Sequence, residues 1–267
     1  MKTIIITITN TKGGTGKTKT CLNLATELSR FNKKTLLVDL DSQASLSKAI
    51  LGEEELLNFT GVEELLVNPK LDPNDFISET KIKNVSIIPC HSELNEVSLR
   101  LLMNASFFGL KDVLNEIASI PRNDGGFDFI LIDTQPAKNI LMLNAFTASD
   151  YVLIPTNPSV YPLMDIVELE QTIKSASINS NPDLKILGVL ITMVQRATVY
   201  KQLENDLRKY FKDKVFETTI TRMAKSEESA VEGVGVSELD PKCKLSQEYK
   251  ALCTEILRRL NKEEEVK

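Results

Sequence analysis

Residues 12–18 read Lys-Gly-Gly-Thr-Gly-Lys-Thr, and they follow an apolar, β-branched run at residues 3–9. Glycines allow the backbone to curl so that successive N–H groups point inward and form a cradle for an anion. Leu22, Ala25 and Leu28 come next at the spacing of a helix, whose N-terminus would add positive potential at the cradle. The stretch therefore predicts a strand, a phosphate-binding loop and a helix in direct succession.

Two side chains of this loop have the chemistry of a nucleoside triphosphate site. Lys17 is placed to reach the β- and γ-phosphates, and the hydroxyl of Thr18 is placed to ligate Mg²⁺. The standard pattern has a glycine five positions before Gly16, where this chain has Thr11, so the match is to the variant KGGxGK[ST], which begins with an extra lysine, Lys12. The predicted nucleotide-binding residues are Lys12, Gly13, Gly14, Thr15, Gly16, Lys17 and Thr18.

Short runs rich in Ile, Val and Leu recur along the chain and alternate with segments of helical spacing. This alternation is typical of a parallel sheet with crossover helices. The predicted strands are residues 3–9, 35–40, 85–89, 127–133, 151–156 and 185–192. The sequence thus predicts an α/β fold with a doubly wound, mostly parallel sheet flanked by helices, as in P-loop NTPases. Ligands of such sheets bind at the carboxyl ends of the strands, so the loops after residues 9, 40 and 133 should converge.

Three aspartates stand at the ends of predicted strands. Asp39 and Asp41 alternate at the end of the second strand, which directs both to one face, and Asp133 ends the apolar run at 127–133. Acids beside a phosphate site are expected to hold a cation or to orient the reacting water. We predict that Asp41 orients the attacking water and that Thr18, Asp39 and Asp133 hold Mg²⁺. The alternative is that Asp39 and Asp41 only cap the strand end.

The 267 residues contain no Pro/Gly/Ser-rich linker, so we predict one domain over 1–267 with an acidic tail at about 262–267. The net charge of −5 offers no global attraction to nucleic acid. The four cysteines are widely spaced and indicate core thiols rather than a metal site. The N-terminal run is too short for a membrane span and lacks a cleavage site, so we expect a cytoplasmic protein.

A terminal helix is predicted from about Ser246. Its apolar residues recur every three or four positions and form one stripe, which we expect to pack against the sheet. They are Tyr249, Leu252, Ile256 and Leu260. The acidic end of the chain would be repelled by anionic lipid, which disfavours a membrane partner.

Three motifs together resemble a known family: KGGTGKT at 12–18, LLVDLDSQAS at 36–45 and FILIDTQPA at 129–137. They resemble the ParA family of DNA-partitioning ATPases, within the deviant Walker A group that includes MinD and the nitrogenase iron proteins. The likeness covers nearly the whole length. An NKxD motif is missing from the sequence, which disfavours GTP. Departures from the family pattern include Lys19, Gln135 and Thr221.

The resemblance implies ATP and Mg²⁺ as cofactors, slow hydrolysis, and a homodimer that forms with ATP. It further implies that Lys12 reaches the phosphates of the partner subunit in trans, that the ATP dimer binds duplex DNA without sequence preference, and that a ParB-type partner stimulates hydrolysis. Arg196 and Arg222 fall near family positions used for DNA contact. The protein would then be associated with the nucleoid when ATP is bound.

Two other functions remain open from the sequence. One is a scaffold that uses the ATP dimer to position a protein cargo, and the other is a MinD-like membrane switch. Basic residues accumulate after Thr192 and favour DNA binding, but acids are interleaved with them and an ordinary solvated surface is the alternative. A gel shift with ATP, ADP and no nucleotide distinguishes these functions.

Overall fold

The computed structural model describes residues 2–68, 70–157, 163–195 and 198–265. Within these ranges the chain forms eight strands: β1 Ile4–Ile8, β2 Thr35–Leu40, β3 Ser78–Glu79, β4 Val85–Ile88, β5 Phe129–Thr134, β6 Tyr151–Thr156, β7 Lys185–Val194 and β8 Val215–Thr221. All belong to one sheet with the order β3-β4-β2-β5-β1-β6-β7-β8. Every neighbouring pair is parallel except β3 and β4.

Helices connect the strands and cover the sheet. In the described residues they are α1 Lys17–Arg30, α2 Ser45–Leu51, α3 Glu53–Leu56, α4 Val62–Val67, α5 Leu94–Met103, α6 Gly109–Ala118, α7 Ile140–Ala148, α8 Leu163–Asn179, α9 Thr198–Phe211, α10 Lys225–Val231, α11 Val236–Leu239 and α12 Lys244–Glu265. The prediction of a doubly wound, mostly parallel sheet is confirmed.

The central strands are apolar because helices bury them on both faces. All residues of β2 and β5 are buried. One core cluster joins α1 and α12 to the sheet, and it includes the predicted stripe of α12, while a second lies under α4 to α7. The terminal helix thus packs against the sheet as expected, and it runs without interruption to Glu265.

Strand ends differ from the sequence prediction by one or two residues. β5 begins at Phe129 rather than at residue 127, and β7 continues to Val194 rather than stopping at residue 192. β8 is an edge strand whose outward amides are paired by a helix instead of a strand. Glu255 accepts from the amides of Glu217 and Thr218, and Glu248 accepts from the amide of Thr221. These carboxylates protect the edge against pairing with another chain.

Candidate functional site

The glycine loop runs from the end of β1 into α1, as predicted. Gly14 and Gly16 have φ of +72° and +83°, a region that glycine enters without steric cost. A Cβ on Gly13 or Gly14 would contact no neighbouring atom, so a lack of space is not the reason for glycine at these positions. At Gly14 the reason is the positive φ of the backbone. Gly16 caps the N-terminus of α1, which places the positive end of the helix at the loop.

Neighbouring strands hold the loop in place through two polar side chains. Asn10 donates from its amide to the carbonyl of Pro155 at 2.8 Å and accepts from the amide of Lys12 at 3.1 Å. The hydroxyl of Thr192, on β7, lies 2.8 Å from the carbonyl oxygen of Thr15. Both residues are buried, so the loop has a fixed shape before any ligand binds.

Lys17 points into the cleft from the first turn of α1. Its ammonium donates to the carbonyl of Lys12 at 3.2 Å, and the residue is buried. Burial lowers the pKa of Lys17, although Asp133 and Asp41 act in the opposite direction. A cation held beside a concave row of amides is suited to bind phosphate oxygens.

Asp133 lies at the end of β5 and is fully buried. Burial and the neighbouring Asp39 raise the pKa of Asp133 well above its usual range, while Thr18 and Lys17 lower it. The Thr18 hydroxyl lies near enough to Asp133 to favour the ionised form of its carboxyl group. Among the described residues, however, no donor has hydrogen-bond geometry to either carboxylate oxygen of Asp133. A buried carboxylate with both oxygens unpartnered fits a divalent cation, and Thr18 supplies a hydroxyl on the same side.

Asp39 has a different environment from Asp133, although the two are register partners on adjacent strands. One oxygen of Asp39 accepts from the Asp41 amide at 3.0 Å. The other accepts from the amide of Ser47 at 2.9 Å and from its hydroxyl at 2.7 Å. Burial raises the pKa of Asp39 to about 6, and these hydrogen bonds limit the rise. Asp39 as a metal ligand stays a prediction, but its contacts indicate that it positions Asp41 and α2.

Asp41 lies half-buried on the wall of the cleft that also includes the glycine loop. Its carbonyl accepts from the Ala44 amide and from the thiol of Cys90 at 3.0 Å. The Cys90 amide in turn donates to the hydroxyl of Ser47 at 3.1 Å. The Asp41 backbone is therefore fixed, and one oxygen of its carboxylate accepts from the Gln43 amide at 3.0 Å. Asp41 as the residue that orients water stays a prediction.

Lys12 faces away from the cleft that Lys17 enters. Its ammonium lies 3.7 Å from a carboxylate oxygen of Asp165 on α8, and its side chain is 43% exposed. Lys12 is not among the residues that line the cleft. The extra lysine of the loop is thus placed outside the phosphate cradle of its own chain.

Two adjoining cavities open at the carboxyl ends of the strands. The first, of about 560 Å³, is lined by the glycine loop, Lys17, Thr18 and Asp41, so the loops expected to converge do so. The second, of about 440 Å³, lies between the ends of β7 and β8 and α10. Arg222 and Met193 line both. Met193 has φ of +55°, an uncommon backbone conformation for its type.

The structure describes one of the two predicted DNA contacts, Arg222. Arg222 is exposed at the rim of the cleft, where it can approach a bound nucleotide as readily as DNA. Arg196 lies outside the described residues. Both stay predictions.

Sequence reasoning missed Ser47, Cys90 and Thr192, which fix the acids and the loop. Cys90 and Thr192 make their decisive contacts across long separations in sequence, 43 residues for Cys90 with Ser47 and 177 for Thr192 with Thr15. Ser47 contacts Asp39 across eight residues, between the end of β2 and α2. Three of the four cysteines are buried thiols as predicted, and Cys243 is half-buried. In the part of the chain that the structure describes, no helix is long and apolar enough to cross a membrane.

Comparison with known proteins agrees with this geometry. The family model described as "AAA domain" matches residues 3–186. The chain is 34% identical over 258 residues to the chromosome partitioning protein ParA of Myxococcus xanthus, covering 96% of this chain and 88% of that protein. It is also 34% identical over 254 residues to the sporulation initiation inhibitor protein Soj of Bacillus subtilis, covering 94% and 97%.

A solved structure shows the same fold with ligands. The cobyrinic acid a,c-diamide synthase of Mycobacterium smegmatis with bound ATP analogue and magnesium is 26% identical, with a TM-score of 0.82. The match covers 97% of this chain and 95% of that one. A protein of this architecture therefore binds an ATP analogue and magnesium.

Proposed function

Because this chain belongs to the ParA/Soj family of chromosome-partitioning ATPases, we propose that it is an ATP-dependent dimerising switch that partitions plasmid or chromosomal DNA. The observation that carries the proposal is the meeting of the glycine loop, Lys17 and three strand-end acids at one edge of the sheet. The nucleotide is ATP with Mg²⁺, and hydrolysis is slow in the absence of a partner.

The triphosphate lies along the amides of residues 13–18, with Lys17 beside the β- and γ-phosphates. Thr18 and Asp133 would hold Mg²⁺, and the two unpartnered carboxylate oxygens of Asp133 support this fit. The ion would neutralise charge on the phosphates. Asp41 accepts a hydrogen bond from the attacking water, and the Asp39 carboxylate holds the Asp41 backbone in place. The second cavity, at the ends of β7 and β8, takes the base.

Lys12 acts on a second subunit. Its outward position leaves the phosphates of its own chain to Lys17, and a lysine supplied across an interface stabilises the charge that develops in phosphoryl transfer. In a single subunit, the contact with Asp165 holds the Lys12 side chain in place. On dimerisation, Lys12 leaves Asp165 and contacts the phosphates bound to the partner subunit.

The ATP dimer binds duplex DNA without sequence preference, and a ParB-type partner bound to a centromere-like site accelerates hydrolysis. Support comes from the ParA and Soj relatives and from the basic residues after Thr192. The protein is then associated with the nucleoid in its ATP state.

The trans role is tested with Lys12→Ala. We expect the variant to retain ATP binding but to lose ATP-dependent dimerisation in sedimentation velocity and to lose turnover. Lys174→Ala is the matched control, since Lys174 is also a surface lysine paired with an acid of α8, Glu170 at 3.2 Å. Unchanged turnover and sedimentation of Lys12→Ala with ATP would remove the trans role.

DNA binding is tested separately with a gel shift of arbitrary duplex DNA in ATP, ADP and no nucleotide. We expect a shift only with ATP, and its affinity should fall steeply as salt rises because phosphate contacts release counterions. If ATP adds no affinity for DNA while dimerisation persists, the switch positions a protein cargo or acts at a membrane instead.

A further inference from the structure

The first turn of α1 carries a second lysine, Lys19, two residues after Lys17. Its side chain is 22% exposed, and its ammonium forms an ion pair with the carboxylate of Glu227 on α10. The Glu227 side chain is 73% exposed, so this pair is open to solvent on the acidic side. Lys19 is also a position at which the chain departs from the family pattern. The positive charge at this point is therefore a feature of this chain.

Lys19 lies where the two cavities of the site meet. Among the described residues, the cavity beside the glycine loop and the cavity between the ends of β7 and β8 share a small set of lining residues. They are Gly16, Lys19, Met193, Arg222 and Glu227. The charged residues that line the phosphate cavity alone are Lys17 and Asp41. The boundary between the cavities thus carries two cations and one acid.

The position of this boundary selects one group of the nucleotide. The proposed function places the β- and γ-phosphates beside Lys17 and the base in the second cavity. The α-phosphate and the ribose join these two parts of the molecule, so they lie at the boundary. Of these two groups, the α-phosphate is the one that carries negative charge and that an ammonium binds strongly.

We propose, on the basis of that function, that Lys19 binds the α-phosphate and that this contact replaces its ion pair with Glu227. The flexible lysine side chain can turn its ammonium from a carboxylate oxygen to a phosphate oxygen. An exposed ion pair contributes little to stability, and the freed Glu227 carboxylate stays in contact with water, so the exchange costs little. It gains a charge-assisted hydrogen bond at the positive end of α1.

Lys19 is better placed for this contact than Arg222, the other cation at the boundary. Lys19 belongs to the turn that follows Gly16, so the glycine loop fixes its backbone next to the phosphates. The N-terminus of the same helix directs its positive potential at that place. Arg222 follows the end of β8 and is exposed. It is the competing assignment that the experiment has to separate from Lys19.

A purely structural role for Lys19 makes a different prediction about Glu227. If the ion pair only tied α10 to α1, removal of either partner would break the same link and would lower nucleotide affinity alike. If Lys19 binds the α-phosphate, Glu227→Gln frees its ammonium and removes an acid from the cavity. The two roles therefore predict opposite signs for Glu227→Gln.

Isothermal titration calorimetry of the full chain with Mg-ADP and Mg-ATP measures these signs. Lys19→Met keeps the length of the side chain without its charge and should weaken both nucleotides about tenfold or more. Glu227→Gln should strengthen both about twofold to fivefold. Lys33→Met is the matched control, since Lys33 is a partly exposed lysine beyond the other end of α1 and pairs with Asp128 at 3.9 Å. It should leave both affinities unchanged.

The two diastereomers of ADPαS identify the phosphate that is contacted. Sulfur replaces one nonbridging α-oxygen in each, and sulfur is the poorer hydrogen-bond acceptor. One diastereomer should bind the parent chain more weakly than ADP, and this difference should disappear in Lys19→Met, because the two changes remove the same contact. Arg222→Met and Lys33→Met should both keep the difference.

Three results would overturn the assignment. They are parent-like affinities in Lys19→Met, a loss of affinity in Glu227→Gln, and a sulfur effect that survives in Lys19→Met. A sulfur effect that disappears only in Arg222→Met would give the α-phosphate to Arg222 instead. Thermal melting without nucleotide should be the same for Lys19→Met and Glu227→Gln, since both lose the same exposed pair.

Failure of the proposed function has a separate signature. A parent chain that binds neither Mg-ADP nor Mg-ATP would refute that function, and the role of Lys19 with it. A parent chain that binds both nucleotides, with Lys19→Met binding them equally well, would refute the role of Lys19 alone.

Discussion

Replacing Ser47 by alanine should remove the link that holds Asp39 of β2, and the Asp41 backbone that follows it, in place. The Ser47 hydroxyl donates to the buried carboxylate of Asp39 at 2.7 Å and accepts from the Cys90 amide at 3.1 Å. A hydrogen bond to a charged group contributes about 1.5–3 kcal/mol, and a buried amide left without its acceptor costs about 1–3 kcal/mol. The Ser47 amide keeps its own bond to Asp39, so the carboxylate is not orphaned.

We therefore expect Ser47→Ala to lower the free energy of unfolding by about 3 kcal/mol, in the lower part of the combined range of about 2.5–6 kcal/mol. For a chain of this size that corresponds to a fall in Tm of about 6–12 °C. Urea unfolding followed by circular dichroism measures the first quantity, and a thermal scan measures the second. Turnover of Mg-ATP should fall about tenfold in kcat with little change in KM, because the Asp41 backbone loses its anchor while the phosphate cradle is untouched.

Ser229→Ala is the matched control. Ser229 is equally buried, but its hydroxyl donates to the backbone carbonyl of Ser226, at 3.3 Å, and not to a charged group among the described residues. That substitution should cost about 1 kcal/mol or less and leave kcat unchanged. If Ser47→Ala costs no more than Ser229→Ala and turns over ATP at the parent rate, the proposed link from Ser47 through Asp39 to Asp41 is wrong.

Two further predictions follow from single polar contacts. His91 is the one histidine of the chain. Partial burial lowers its pKa, but the hydrogen bonds with Glu63 and the Leu56 carbonyl and the charges of Glu63 and Glu93 together outweigh burial and raise the pKa. Its contribution to stability is therefore complete below about pH 6.5 and is lost as pH rises through the raised value. NMR titration of the single imidazole should show a lower pKa in Glu63→Gln, and an identical titration would contradict the assignment. Thr192→Val keeps the volume but removes the hydroxyl that lies 2.8 Å from the Thr15 carbonyl, so calorimetry should show ATP affinity reduced about fivefold to tenfold, about 1–1.4 kcal/mol. Unaltered affinity would show that Thr192 does not shape the loop.

The central part of the fold could be predicted from sequence because buried parallel strands are apolar on both faces. β2 and β5 are fully buried and were recognised as runs of Leu, Ile and Val. β8 contains Glu217 and three threonines, since it lies at an edge and its outward amides donate hydrogen bonds to carboxylates of α12. Its β-branched content was the signal available, but a pattern of apolar runs does not detect it. β3 has only two residues and gives no pattern at all.

The glycine loop and the acids were predictable for a related reason, since the phosphate site depends on neighbours in sequence. Gly14, Gly16 and Lys17 act within one turn of chain, and strand alternation places Asp41. Distant partners were not predictable, because Thr192 reaches the loop only through the order of strands in the sheet.

Asp39 and Asp133 show where sequence reasoning stops. Both end an apolar strand, they are register partners, and they were assigned the same metal role. Ser47, eight residues beyond Asp39, satisfies one of them because α2 begins where its amide and hydroxyl point at β2, whereas no described donor satisfies the other. Two acids side by side in a buried site repel each other, and Lys17 offsets one charge. A divalent cation at Asp133 would balance the second, so binding of Mg-nucleotide should stabilise the fold as well as complete the site.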